Sequence, residues 1–177
     1  MIDALKEKPP PNSVVLSFDE KGKTPVKKFG GRKWCYGKHY RVPYNQKVKA
    51  LFDLFMVKNI HTGERHHQFY AWKNSFIVVD FFEWLLNDVY IKENVFMILD
   101  GWSAHRSNFT LAYADLNPRL HLIPLPNCSS WMNPVERDFS RIQREVLDNS
   151  SFESPRQGME LMNMFIKKEL NSTKQRT

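Results

Sequence analysis

The run VFMILD at residues 95–100 is almost continuously apolar and ends in an acidic residue, Asp100. Such a run is typical of a strand that is buried on both faces, as in the centre of a sheet covered by other layers. The run therefore predicts a central strand, and it places a carboxylate at the end of that strand.

Other segments of the chain alternate between strand and helix patterns. Helical spacing of apolar residues follows Ser75, a further helix is predicted at 105–117, and a last one near 155–170. The predicted strands are 14–19, 49–59, 66–73, 95–100 and 120–126. A turn at 61–64 joins the second and third, and the two prolines of the last strand predict either an edge position or an early end. This order predicts an α/β fold with helices against a mixed sheet.

Composition and charge narrow the class of protein. The 177 residues are 42% hydrophobic, as expected for a globular chain. The formal charge of +7 favours a polyanionic partner, most often nucleic acid, although a basic protein without such a partner is the alternative. Without a run of about 18 apolar residues or a signal peptide, we expect a cytoplasmic protein without membrane contact. Cys35 and Cys128 are expected to be reduced thiols.

The domain organisation is predicted as one unit with a short leader. Residues 1–13, which contain three consecutive prolines, are typical of a linker. Residues 14–150 form the predicted domain, and 151–177 add a C-terminal helix and tail to it.

Three carboxylates stand out by position. Asp19 and Asp100 each end an apolar strand, and Glu136 lies in the first turn of a predicted helix. Carboxylates that converge at the ends of strands require cations, and oxygen ligands favour Mg²⁺ or Mn²⁺. Two such ions can support phosphodiester cleavage. The alternatives are turn residues for the two aspartates and a capping box with Asn133 for Glu136.

The predicted helix that carries Glu136 begins with Asn133 as N-cap and Pro134 at its first position. One apolar stripe is formed by Val135, Phe139, Ile142 and Val146. A basic stripe beside it is formed by Arg137, Arg141 and Arg144. That stripe fits either a solvated face, with Asp138 and Glu145, or a face that follows a phosphate backbone.

Three blocks of the sequence resemble the signatures of DDE transposases, specifically the mariner superfamily and its bacterial and archaeal insertion-sequence branch. The blocks are FDE (18–20), ILDGWSAH (98–105) and LPNCSSWMNPVE (125–136). Asp19, Asp100 and Glu136 fall on the family's three metal-binding carboxylates, and His105 on its histidine. Further matches are Leu125, Pro126, Ser129, Asn133 and Pro134, and the departures are Gly101, Ser130 and Trp131.

The resemblance implies a ribonuclease H-like fold, with a five-stranded mixed sheet flanked by helices on both faces. It implies that two Mg²⁺ ions, replaceable by Mn²⁺, are held by the three carboxylates, and that no small-molecule cofactor is needed. The activity implied is cleavage of transposon ends and transfer of the 3′-hydroxyl to target DNA. The expected DNA-binding residues are His105, Asn133, Arg137, Arg141 and Arg144. A homodimer assembled on DNA, in the prokaryotic cytoplasm with the nucleoid, is expected.

The family also carries N-terminal helix-turn-helix modules, and the residues before Val14 are too few to form them. We therefore interpret the chain as an isolated catalytic domain, one half of a split gene or a decayed copy. The alternative functions are a catalytically silent DNA-binding remnant and another ribonuclease H-like nuclease, such as a resolvase.

Two weaker patterns remain in the sequence. His61, His66 and His67 suggest a zinc site, but their spacing fits no common zinc site. Gly30, Gly31 and Arg32 lie in a basic aromatic stretch that predicts a hairpin, which either faces DNA or has no such role.

Overall fold

A five-stranded mixed sheet forms the centre of the molecule. The computed structural model describes residues 2–25, 36–37, 41, 51–126, 129, 133–148 and 151–171. The strands are β1 (Ser13–Pro25), β2 (Leu51–Asn59), β3 (Arg65–Tyr70), β4 (Asn94–Leu99) and β5 (Leu120–Pro124). Their spatial order is β3-β2-β1-β4-β5. β2 is antiparallel to β1 and β3, and β4 is parallel to β1 and β5. The predicted mixed sheet is confirmed, with β5 at an edge.

Helices cover both faces of this sheet, as predicted. They are α1 (Ile2–Glu7), α2 (Ser75–Trp84), α3 (Asn108–Leu116), α4 (Pro134–Ile142) and α5 (Pro155–Phe165). After α2, α4 and α5 the chain continues through one π-helical turn, at 85–89, 143–147 and 166–170. α2 and α3 pack on one face, whereas α1, α4 and α5 pack on the other.

Strand β1 distributes its side chains between the two faces, because successive residues of a strand point to opposite sides. Leu16 and Phe18 pack against the α2 face, and Phe18 stacks on Phe81 of α2 with ring centroids 5.2 Å apart. Val15 packs against the opposite face with Leu5 of α1. Each fully buried side chain of this kind contributes about 1.5–3 kcal/mol to stability. The same alternation sends Asp19 and Glu20 to opposite faces.

The first strand differs from its prediction, because β1 does not end at Asp19. Its parallel pairing with β4 stops at Ser17 and Ile98, but its antiparallel pairing with β2 continues to Pro25 and Leu51. Asp19 therefore lies inside a strand, just beyond the point where the parallel half of the sheet ends.

The N-terminal segment also differs from its prediction as a linker. Residues 2–7 form α1, and Leu5 is buried against Val15, Ile98 and Ile123 of the sheet. The three prolines follow this helix and separate it from β1. Because Leu5 and Ile2 supply an apolar face, the segment packs on the domain.

Several boundaries differ by a few residues. β3 ends at Tyr70, and Asn74 rather than Ser75 caps α2, its side chain accepting from the Ile77 N–H. α3 begins at Asn108, after a turn at 103–106, and ends before Pro118 as predicted. The predicted turn at 61–64 is confirmed, with Gly63 at a φ of 72° that favours glycine.

Some predictions lie outside the described residues. These are the hairpin around Gly30, Gly31 and Arg32, the state of Cys35 and Cys128, residues 49–50 of β2, Ser130 and Trp131, and the tail beyond 171. No helix within the described part of the chain is long and apolar enough to cross a membrane.

A buried ion pair joins α4 to β3. Asp138 is 3% exposed and accepts from two nitrogens of Arg65, at 2.9 and 3.1 Å. Lys58 lies 3.1 Å from the same carboxylate, and Arg65 also donates to the Leu170 carbonyl. Asp138 therefore does not belong to a solvated helix face, in contrast to the sequence-based alternative for this helix.

Candidate active site

Asp19 is a half-buried carboxylate on the face of β1 that α4 covers. Its Oδ1 accepts from the Glu20 N–H at 2.8 Å. Burial, followed by the negative charges of Glu20, Glu136 and Asp100, raises the pKa of Asp19 to about 7. Because three neighbouring carboxylates disfavour the ionised form of Asp19, a nearby cation would strongly favour that form.

Asp100 is the first residue after β4, at the carboxyl end of that strand. Its Oδ1 accepts from the Trp102 N–H at 3.0 Å and lies 2.9 Å from the His105 Nδ1. The hydrogen bond to His105 is the main cause that lowers the pKa of Asp100. This carboxylate is about one-third exposed, so it is anchored and still accessible.

Glu136 is exposed in the first turn of α4, and the start of that helix is fixed by Asn133. The Asn133 Nδ2 donates to the Phe18 carbonyl at 3.0 Å, and its Oδ1 accepts from the Ser17 hydroxyl and from the Val135 N–H. The cap of α4 is thus made by the Asn133 side chain with Val135 rather than by a reciprocal bond to Glu136. The same asparagine joins α4 to β1, next to Asp19.

A cleft of about 460 Å³ runs between β1 and α4. Its acidic wall includes Asp19 and Glu136, and its basic residues are Lys21 and Arg144. Asp100 is not among its lining residues and acts on Asp19 through its charge. Asp19 is therefore near enough to both Glu136 and Asp100 to be affected by their charges.

The donor set fits a hard divalent cation, although the side chains are not a preassembled ligand group. Within the described ranges, no three acidic, histidine or cysteine side chains lie in ready coordination of one ion. Three carboxylates repel one another, and Asp100 is held by His105. Binding of one cation by all three carboxylates would therefore require their side chains to rearrange.

Two predicted DNA contacts are not supported, because the side chains are buried. His105 is 1% exposed and Asn133 is 2% exposed. His105 lies between Asp100 and Glu20, and Asn133 lies between α4 and β1. Both residues belong to the supports of the carboxylates rather than to a surface that DNA can reach.

The three predicted arginines of α4 separate into different surroundings. Arg137 and Arg144 are exposed, and Arg144 lines the cleft while its Nε donates to Glu145. Arg141 is half-buried, and its guanidinium lies over the Phe165 ring at 5.6 Å from the centroid. Of the three, Arg144 is therefore the one that lines the cleft.

The histidines that suggested zinc are dispersed. The His61 Nε2 bonds to the Leu5 carbonyl at 2.9 Å, whereas His66 and His67 are consecutive residues of β3 and point to opposite faces. Burial is the main cause that lowers the pKa of His67 to about 4. Their geometry does not bring these three rings to one ion.

Sequence reasoning missed Glu20 as a part of this site. Its side chain is only 2% exposed, and its Oε1 lies 2.6 Å from the His105 Nε2. Its Oε2 lies 4.0 Å from the Lys73 Nζ, which is placed over the Trp102 ring. The only signal in the sequence is a second acid directly after Asp19 in a strand pattern.

A family comparison matches most of the chain. The model for the DDE superfamily endonucleases matches residues 14–157. The chain belongs to the DDE endonuclease superfamily. The match includes all three signature carboxylates, although it does not distinguish a bacterial or archaeal branch. The comparison with curated protein sequences gives no significant match.

Solved structures share the fold of this DDE-family chain. The Mos1 strand transfer complex aligns with a TM-score of 0.70 at 12% identity, over 99% of this chain and 53% of that one. The mariner Mos1 paired end complex with Mg gives 0.64 at 11% identity, over 96% and 52%. The HTLV-2 integrase catalytic core domain in complex with magnesium gives 0.53 at 12% identity, over 88% and 85%. The chain thus spans about half the length of the Mos1 chains and has the ribonuclease H-like fold.

Proposed function

We propose that this chain is the catalytic domain of a DNA transposase that cleaves transposon ends and transfers the 3′-hydroxyl to target DNA. Asp19, Asp100 and Glu136 would hold two Mg²⁺ ions, for which Mn²⁺ can substitute. The observation that carries the proposal is that Asp19 and Glu136 line one cleft of a DDE-family fold, where the charges of Glu136 and Asp100 help to raise the pKa of Asp19.

The chemistry proposed divides between the metal and the protein. Bound ions would activate the attacking oxygen and stabilise the leaving one. The protein supplies position and charge: β1 and the chain after β4 each carry a carboxylate two residues beyond the last parallel pair, Ser17 and Ile98, and Asn133 sets where α4 presents the third. Lys21 and Arg144 in the cleft offset the charge of a phosphodiester backbone.

DNA is the partner that this proposal requires. A homodimer assembled on DNA is part of it, in keeping with the paired end complexes formed by Mos1. Because its substrate would be chromosomal and transposon DNA, the protein would be located with the nucleoid of a prokaryotic cell.

The test is nicking of supercoiled plasmid in Mg²⁺ or Mn²⁺, with and without a chelator. We expect metal-dependent nicking by the wild type and a loss of at least about 100-fold in Asp19→Ala, Asp100→Ala and Glu136→Ala, because each removes a metal ligand. Glu160→Ala, which removes an exposed acid of α5, is the matched control and should nick normally.

Two results would contradict the proposal in different ways. A wild type that binds plasmid and never nicks it would favour the DNA-binding remnant. Nicking that is equal in the wild type and all three site variants would place any nuclease activity outside this triad.

A further inference from the structure

A chain of hydrogen bonds links Glu20, His105 and Asp100 beneath the cleft. The Glu20 Oε1 lies 2.6 Å from the His105 Nε2, and the Asp100 Oδ1 lies 2.9 Å from the His105 Nδ1. The His105 side chain is fully buried and that of Glu20 is 2% exposed, whereas that of Asp100 is 35% exposed. These hydrogen bonds therefore connect the interior of the protein to one accessible carboxylate, that of Asp100.

The imidazole is fixed on all sides. Its ring packs at 5.3 Å from the Phe18 ring and at 5.1 Å, nearly perpendicular, from the Trp102 ring. Both ring nitrogens face carboxylate oxygens, so the ring is held at both edges.

Glu20 is poorly placed to bind a metal itself. Glu20 is among the residues that line the cleft, but its side chain lies on the face of β1 opposite to that of Asp19, is only 2% exposed, and directs its two oxygens toward His105 and Lys73. By contrast, both described hydrogen bonds of the Asp100 carboxylate fall on Oδ1. Oδ2 is thus the oxygen of Asp100 that is available to a cation.

The Glu20–His105–Asp100 contacts also lie where the backbone pairing of β1 with β4 has ended. The parallel pairing of β1 with β4 ends at Ser17 and Ile98, two residues before each aspartate. Beyond that point the separation of Asp19 and Asp100 depends on side chains. Because Glu20 follows Asp19 directly in the chain, a Glu20–His105–Asp100 link connects the two strands where the pairing has stopped.

We propose that Glu20, acting through His105, positions Asp100 for metal binding. Glu20 and His105 are then positioning residues, and this inference rests on the proposed metal-dependent function. Loss of a residue that orients a metal ligand typically weakens metal affinity by about 10–100-fold. The effect should appear in the affinity for the ion and in the ion concentration that nicking requires.

Three variants of the whole chain distinguish a positioning role of Glu20 from an effect on folding. Glu20→Gln retains a polar group that can hydrogen bond to either protonation state of His105 and should bind Mn²⁺ within about threefold of the wild type. Glu20→Met removes the anchor at similar size and should weaken Mn²⁺ binding about 10–100-fold. The double variant Glu20→Met/His105→Phe removes both buried polar partners together, which is the exchange that folding tolerates best. It should show the same loss of affinity.

The measurement is Mn²⁺ binding by calorimetry, on proteins whose folding is checked by thermal unfolding, together with the Mn²⁺ dependence of nicking. At saturating Mn²⁺ the nicking rate of Glu20→Met should return close to that of the wild type, which a merely unstable protein would not show. Asp53→Leu is the matched control, because Asp53 is a buried acid, 5% exposed, that accepts from the Lys23 N–H instead of His105.

Wild-type Mn²⁺ affinity in a folded double variant would overturn the inference. So would an equal loss of affinity in Asp53→Leu and Glu20→Met. Absence of Mn²⁺ binding in the wild type itself would overturn the proposed function and this inference with it, whereas loss in the variants alone leaves the proposed function intact.

Discussion

Two consecutive acids of β1 have separate tasks because a strand turns them to opposite faces. Asp19 faces α4 and shares its surroundings with Glu136, whereas Glu20 faces the α2 side and bonds to His105. Asp19 is influenced by other carboxylates, whereas Glu20 is paired with the His105 ring. In our proposal the pair therefore combines a metal ligand with a support for the next ligand.

The raised pKa of Asp19 predicts that metal binding is linked to proton release. Near pH 6 the carboxyl, with a pKa of about 7, is mainly protonated, and a cation must displace that proton. Near pH 8 it is already ionised, so the apparent Mn²⁺ affinity should rise with pH and level off above about 7. Calorimetry in buffers of different ionisation enthalpy should show close to one proton released per chain near pH 6 and much less near pH 8. Equal proton release at the two pH values would contradict this assignment.

At this scale the sequence pointed to the three carboxylates that we propose as ligands, but not to the side chains that contact them. Asp19 and Asp100 were predicted from their positions after apolar runs and Glu136 from its place in the first turn of a helix, and the resemblance predicted the same three. The roles of Glu20 and His105 depend on contacts between residues 85 positions apart. No local pattern specifies such a contact, and the resemblance led us to expect His105 among the DNA-binding residues instead.

The start of α4 is the element on which the site geometry depends. Asn133 makes a cap to Val135 and two bonds to β1, through Ser17 and Phe18. These bonds are buried, so neither water nor another side chain replaces them readily. The helix is consequently fixed to the strand that carries Asp19.

Asn133→Ala should lower both stability and activity. We expect a loss of about 2–3 kcal/mol in the free energy of unfolding, because one cap and two buried hydrogen bonds are lost. The nicking rate should fall as well, since Glu136 would no longer be held in place. Urea unfolding and plasmid nicking measure the two effects.

Ser154→Ala is the control for this variant. Ser154 caps α5 through the Gln157 N–H and has no bond to β1. Its loss should cost about 1 kcal/mol and leave nicking unchanged. If Asn133→Ala lost no more stability than Ser154→Ala and nicked normally, the bonds to β1 would have no part in the site.

Most elements could be predicted from the sequence, and the exceptions have physical causes. Periodicity predicted the five strands and the amphipathic α4, with Val135, Phe139, Ile142 and Val146 buried as expected. It missed the continuation of β1 after Asp19, because polar residues there are paired only through β2. It also missed α1, whose stability depends on packing of Leu5 rather than on helix propensity.

The charge of the whole molecule predicts salt-sensitive binding to DNA. With a net charge of +7, a logarithmic plot of affinity against salt concentration should fall steeply, by about 0.9 per phosphate neutralised. Arg144→Ala should reduce the steepness of that slope by about 0.9, the value for one lost phosphate contact, since Arg144 lies in the cleft. Fluorescence anisotropy with a short duplex measures the slope.

Arg156 supplies a matched control on α5. Like Arg144 it is exposed, and like Arg144 its Nε bonds to a glutamate on the same element, Glu160. Arg156→Ala should leave the slope unchanged. Binding that is independent of salt, or equal effects of the two substitutions, would contradict a DNA path along the cleft.

The central claim is that three carboxylates from β1, β4 and α4 form one metal site. Anomalous diffraction from crystals grown with Mn²⁺ tests it most directly, because it locates the ion without reference to activity. We predict peaks about 2 Å from the carboxylate oxygens of Asp19 and Asp100, with Glu136 completing the site. A peak elsewhere, for instance beside His66, with none at these aspartates would contradict the claim.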